Sequence, residues 1–156
     1  MLMSNYLSTA VKLVRVLNAT VAGTTAVNTS SVDLQNKDSC RFIVAFGALT
    51  ATQVTSVKLQ GSQDNSTWAD LLDVDSGTVI TTGNLADADS NKVVSIEVYK
   101  CKRRYVRAVI SRATANAVID GAWGELVLRN TLPMVLDATQ ASTTAKTQVT
   151  SGYSYT

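Results

Sequence analysis

The sequence predicts an all-β protein, an antiparallel β-sandwich or jelly roll of eight or nine short strands with an extended C-terminal tail. Three observations lead there. Apolar residues recur with period 2 in segment after segment, and no long window carries a helical period. Thr and Val supply 20 residues each and Ser 15, a β-rich composition with little Glu or Lys. Clusters of Gly, Asn, Asp and Ser separate the segments at near-regular spacing. The 156 residues amount to one domain. A chain of this size buries about two-thirds of its unfolded surface and needs no metal or disulfide staple.

The first strand is Val11 to Leu17. A polar stretch rich in Thr, Asn and Ser follows, then a short strand Val32-Asp33-Leu34 and a turn at Asn36 to Ser39. Cys40 to Gly47 sets Phe42, Val44 and Phe46 on one face and Arg41, Ile43 and Ala45 on the other, as expected of a central strand covered on both sides. Val54 to Gln60 turns Val57 and Leu59 inward, with Ser56, Lys58 and Gln60 outward. The cluster Gly61 to Ser66 reverses the chain into a return strand at Trp68 to Leu72, and Asp73 to Gly77 turns it again into Thr78 to Thr82. After an Asp/Asn-rich loop to Asn91, Val93 to Tyr99 alternates Val94, Ile96 and Val98 against Ser95, Glu97 and Tyr99. Arg104 to Arg112 places Val106, Ala108 and Ile110 opposite Tyr105, Arg107 and Val109. Val118 to Arg129 is the last strand, relaxed or bulged at Gly121 and Gly124. Pro133 closes the packed region, so residues 1–136 form the sandwich domain. Residues 137–156 are a polar tail, either a disordered end or an arm that orders on a neighbour.

Composition excludes much chemistry. With no His there is no imidazole catalysis, no His-ligated zinc and no His proton shuttle. No stretch approaches the roughly 20 apolar residues of a membrane helix. The opening residues Met1 to Tyr6 lack a basic region followed by an apolar core, so the expected compartment is the cytoplasm or an assembly made there. Cys40 and Cys101 are two buried free thiols or one bridge. The Asn-x-Ser/Thr sites at Asn18, Asn28 and Asn65 follow from composition.

Charge is strongly segregated. Seven acids (Asp64, Asp70, Asp73, Asp75, Asp87, Asp89, Glu97) and one base, Lys92, occupy one segment. Lys100, Lys102, Arg103, Arg104, Arg107 and Arg112 then follow with no acid among them. A solvated surface is one reading. Nucleic acid is set aside, because aromatic interleaving is sparse and the net charge is only +2. The expectation is contact with an acidic protein surface, another copy's acidic loops included. Asp87-Ala88-Asp89-Ser90-Asn91 opens like a calcium loop, but Lys92 stands where Gly is needed and Val98 where Glu is needed, so a turn is expected and no metal. Glu97 and Glu125, placed on adjacent strands, are the one carboxylate pair a glycosidase reading can use. Outward acids on strands are usually solvated, and the expectation is no enzyme and no cofactor. Trp68 and Trp123 are core or rim anchors, or an exposed pair forming a sugar-stacking platform.

Several blocks carry a resemblance. Cys40 to Thr50, Val57-Lys58-Leu59-Gln60, Asn91 to Lys100, Lys102 to Arg107 and Thr114 to Gly121 resemble, in order and spacing, the small β-structured virion proteins of tailed bacteriophages, of the capsid decoration or cement type. The resemblance covers roughly residues 27 to 140 and brings no catalytic residues. It implies copies, often trimers, assembled in the host cytoplasm and placed on the capsid exterior, where they bridge neighbouring subunits of the major capsid protein. Contacts are then expected from Lys100, Lys102, Arg103, Arg104, Arg107 and Arg112, and from Tyr153 and Tyr155 in the tail. The alternatives are a carbohydrate- or receptor-binding β-module of the virion, and a head–tail joining or tail protein.

Overall fold

The alternating runs become long strands because each can bury one row of side chains while its backbone pairs on both sides. The structure is a computed structural model that describes residues 10–128. The tail with Tyr153 and Tyr155, the boundary at residue 136 and the expected last strand residue Arg129 lie outside the described residues. In chain order the strands are β1 (Val11–Leu17), β2 (Thr20–Gly23), β3 (Val27–Asn28), β4 (Val32–Asp33), β5 (Lys37–Leu49), β6 (Val54–Ser62), β7 (Ala69–Asp70), β8 (Val93–Tyr99), β9 (Tyr105–Ala113) and β10 (Ala117–Leu128). They form two antiparallel five-stranded sheets. Sheet I runs β1-β10-β5-β8, with β2 also on β10; sheet II runs β3-β9-β6-β7, with β4 also on β9.

One core lies between the sheets. Sheet I contributes Phe42, Val44 and Phe46, Ile96 and Val98, and Ile119 and Leu126; sheet II contributes Val57, Leu59, Val106 and Ile110, all buried. Phe42 and Phe46, at 0% and 1% exposure, each contribute about 2–3 kcal/mol through burial. These are the inward faces that period 2 assigned, and β5 is central, between β10 and β8. Its other face is mixed: Arg41 is buried, while Ile43 and Ala45 are half-buried.

The polar stretch after β1 holds two strands that the sequence reading passes over. Thr20 and Gly23 of β2 pair with Ile119 and Ala117, carrying on along β10 the edge that β1 begins. Val27 and Val32 then pair with Ile110 and Val106, so β3 and β4 form one interrupted edge of sheet II. Edge segments have solvent on one side and need little apolar content. The break at Thr29 is filled from both directions: its N–H donates to the Ala108 carbonyl at 3.0 Å, and its hydroxyl accepts from the Ala108 N–H at 3.0 Å.

Three further expectations shift. Thr78 to Thr82 makes only two isolated bridges, Lys58 with Thr81 and Leu72 with Val79, because its bonds divide between β6 and the chain after β7. The turn before β5 lies earlier than expected, at Leu34–Lys37, with Asn36 at φ 61° and a 3.0 Å bond from the Lys37 N–H to the Leu34 carbonyl. The register of β10 against β5 slips between Ile119 and Gly121, a bulge at which Gly121 takes φ 153°. Gly124 keeps regular register. It serves close approach instead, since a Cβ there would sit 3.3 Å from Val32 Cγ1 of the facing sheet.

Candidate functional site

The basic run does not form one cationic surface. Arg112 has the same parity on β9 as Val106, Ala108 and Ile110, so it points inward and is 7% exposed. Its guanidinium donates to the carbonyls of Thr25 at 2.8 Å, Val21 at 3.0 Å and Ala117 at 2.9 Å. It therefore clamps the place where the chain leaves the edge of sheet I for the edge of sheet II. Arg107 points outward from sheet II and is also occupied. Nε and Nη2 donate to Gln60 Oε1 at 3.1 and 2.8 Å, and the guanidinium lies 4.3 Å from the Trp68 ring centroid. Gln60 in turn donates to Asp70, which pairs with Lys58 at 2.9 Å. Arg104 grips Asp33 with Nε at 3.2 Å and Nη2 at 2.9 Å, and reaches Gln35 at 3.0 Å.

The rest of the run lies on the turn from Lys100 to Arg104, where the chain passes from sheet I to sheet II. Lys100 takes φ 49°, and its N–H donates to the Asp38 carbonyl at 2.6 Å. The Gln63 side-chain amide donates to the Lys102 carbonyl at 2.9 Å, and the Arg103 N–H reaches Cys101 Sγ at 3.4 Å. The Arg103 stem packs where a Cβ on Gly61 would come within 2.6 Å of it, so Gly61 is needed for this close approach. Lys100 and Lys102 are exposed, and Lys100 Nζ lies 5.1 Å from the Tyr99 ring centroid. The turn is thus a pinned cationic corner.

The acids of the preceding segment mostly fasten their own loops. Asp64 accepts from the Ser66 and Thr67 N–H groups at 2.9 and 2.8 Å, and Asp73 from those of Ser76 and Asp75 at 2.8 and 3.1 Å. In the loop that resembles a calcium site, Asp87–Asp89 is a single 3-10 turn. Asp89 accepts from the Ala86 N–H at 2.9 Å and pairs with Lys92 at 3.2 Å. Among the described residues no cluster of three His, Cys, Asp or Glu could hold a metal.

These bonds set a pH response. Thr67 and Ser66 N–H groups hold Asp64 far below the usual carboxylate range, as Ser76 does for Asp73 and Ala86 for Asp89. Hydrogen bonds from Arg104 lower Asp33; burial opposes the shift at Asp70, but bonds from Lys58 and Gln60 outweigh it. All five folded-state values lie below the unfolded ones, so their stabilisation is complete above about pH 5 and drains as pH falls through the depressed values. With no His in the chain, the melting temperature should stay flat from about pH 5 to 8 and drop steeply below about pH 4. Thermal unfolding across that range tests this, and a step between about pH 6 and 7 would contradict it.

The Glu97–Glu125 pairing changes. The two residues stand on β8 and β10, which are not neighbours, because β5 lies between them and Arg41 is in register with both. Arg41 pairs with Glu125, both buried at 6% and 7% exposure. This ion pair escaped the sequence reading. Its signal was a charged residue inside an apolar alternation on each strand, but the register joining residues 84 apart was not legible. The tryptophans do not form a pair. Trp123 sits on the outward face of sheet I and Trp68 beside the outward face of sheet II, where Arg107 already stacks on it. Cys40 and Cys101 are free thiols, and burial pushes both above the ordinary thiol value.

No protein-family model matches the chain, and no curated protein is detectably similar in sequence. Among solved structures it is similar to the SPBc2 prophage-derived protein YomS, with 11% identity and a TM-score of 0.42 over 79% of this chain and 99% of that one. It is also similar to a structure of infectious bursal disease virus, Gt strain, with 10% identity and a TM-score of 0.41 over 79% of this chain and 33% of that one. Likenesses at this level assign no function.

Proposed function

We propose that the chain is a non-catalytic structural protein of a virion, decorating the exterior of a bacteriophage capsid and bridging neighbouring subunits of the major capsid protein. It acts without a cofactor, nucleic acid or membrane, as a homo-oligomer with a trimer favoured. The observation that carries this reading is the pinned corner at Lys100–Arg104. Its backbone is held by Asp38 and Gln63 from other parts of the chain, so docking on an acidic protein surface orders little that is not already ordered. The resemblance of the Lys102 to Arg107 block to decoration proteins points the same way.

Binding to expanded, empty heads is the test. The protein should saturate at a fixed copy number per lattice point and bind more weakly as salt rises. Lys100→Glu with Lys102→Glu should weaken binding at least about tenfold while the melting temperature holds, since both side chains are exposed. Unchanged binding removes the corner from the contact. Saturation at one vertex overturns decoration in favour of a connector, and glycan binding lost on Trp68→Ala or Trp123→Ala favours the receptor module.

A further inference from the structure

The two sheets end differently. Sheet II is blunted on both sides: β3 and β4 are two-residue pieces along one edge, and β7 is a two-residue strand at the other. Short, interrupted edges offer little for another strand to pair with. Sheet I instead ends in two seven-residue strands, β1 and β8. β8 contains no Pro, no Lys or Arg and no register shift against β5, so it lacks the usual defences of an edge.

The ladder fixes which way its backbone groups point. Successive residues of an antiparallel pair alternate between exchanging both hydrogen bonds and exchanging none. The Phe46 N–H donates to the Lys92 carbonyl at 3.0 Å and the Lys100 N–H to the Asp38 carbonyl at 2.6 Å, so the even-numbered residues of β8 bond to β5. The N–H and C=O groups of Val93, Ser95 and Glu97 then face the open edge, and among the described residues nothing bonds to them. Carried across the sheet, the same alternation turns Arg41 and Ile43 toward β10, and Gly124 and Leu126 toward β1. The backbone groups of Leu13 and Arg15 are left at the opposite edge. Past Arg15 that edge closes, because the register shifts and the Val16 carbonyl accepts from the Ser30 N–H at 2.8 Å.

We propose that β8 of one copy pairs antiparallel with β1 of a second copy, so that sheet I continues from molecule to molecule. Two features select this occupant. The path β1-β10-β5-β8 has four strands, each antiparallel to the next, so β1 and β8 run in opposite directions. A second copy in the same orientation therefore presents β1 antiparallel to β8. The charges also match, since β8 carries only Glu97 and β1 only Lys12 and Arg15. Laying Val93–Tyr99 along the whole of β1 sets Ser95 opposite Arg15, with Glu97 diagonal to it on the outward face. Pairing β8 with itself leaves β1 open, and pairing β1 with itself sets cation beside cation; the mixed contact occupies both edges at once. Such a contact is heterologous and closes into a ring when the rotation between copies allows it. It rests on the homo-oligomer reading above and supplies that reading with a contact.

The full chain should sediment as an oligomer that dissociates to monomers on dilution, with the Ser95 and Glu97 amides slow to exchange only in the oligomer. Ser95→Lys changes an exposed side chain and should raise the dissociation constant at least about tenfold by setting a cation opposite Arg15. Adding Arg15→Glu to that chain should restore association, and the dilute monomers should melt as the parent does. A parent that stays monomeric at every concentration overturns the contact, while attachment to heads is decided by its own binding measurement. Unchanged association of Ser95→Lys overturns it too, as does a loss that Arg15→Glu fails to restore, which would assign β8 to another occupant. If Ser95→Lys does not fold, Ser95→p-benzoylphenylalanine decides. Its photo-cross-links should join two chains through residues 11–17, and cross-links confined to one chain, or to sheet II of another, overturn the pairing.

Discussion

Arg112→Met should lower stability by about 3–5 kcal/mol, because three carbonyls lose their donor at once, the Ala117 bond being buried and the other two partly so. At this chain length that corresponds to a melting temperature roughly 10–20 °C lower. The carbonyls belong to Val21, Thr25 and Ala117, so one guanidinium holds β2, the crossover to β3 and the start of β10 together. A methionine fills similar volume but offers nothing to them. Arg112→Lys should recover only part of the loss, since an ammonium on a flexible stem cannot present the planar fork that meets carbonyls on opposite sides. Thermal denaturation followed by circular dichroism measures both. A shift of only a few degrees for Arg112→Met would mean that water replaces the arginine, and that the crossover does not depend on it.

The second large effect concerns Arg41 and Glu125. Removing one member of a buried pair strands the other charge and typically costs about 3–5 kcal/mol, whereas replacing both with apolar residues of similar size is often neutral or stabilising. Arg41→Met should be the worse single change, because it leaves Glu125 buried with Glu97 also in the Arg41 row. A buried, unpartnered glutamate has a raised pKa. The Arg41→Met protein should therefore regain stability as pH falls toward that raised value, opposite in sign to the response of the parent chain. Glu125→Leu should cost less, since Glu97 remains near Arg41. Arg41→Met with Glu125→Leu should return to within about 1 kcal/mol of the parent. Urea unfolding of all four proteins closes the cycle. A double variant as damaged as the worse single one would show that the pair contributes net stability beyond satisfying its own burial.

The strands legible in the sequence were those with solvent or sheet on one side and core on the other. The inward rows of β5, β6, β8 and β9 follow directly from alternation at Phe42, Val57, Ile96 and Val106. β2 and β3 were not legible, because an edge strand of a few residues is held by its neighbour's backbone and leaves little trace in side-chain pattern. The basic run was visible as composition but not as geometry. Continuing the alternation of β9 by one step would have placed Arg112 inside with Ile110, whereas the partners of Arg104 and Arg107 depend on strand order and were out of reach. For the same reason Glu97 and Glu125 read as neighbours until β5 was found between them.

The position of β5 has a consequence in time. Both of its partners, β8 and β10, come later in the chain, Val93 being 44 residues beyond Leu49. During synthesis this 13-residue strand, with Phe42 and Phe46 on it, emerges well before either partner exists to cover it. At about 5–20 residues per second, several seconds pass in which it presents both edges and an apolar row to anything nearby. The buried Arg41 that it carries is then still a hydrated cation. A charge inside an otherwise sticky strand keeps it soluble in that interval, so the residue that complicates the finished molecule protects the unfinished one.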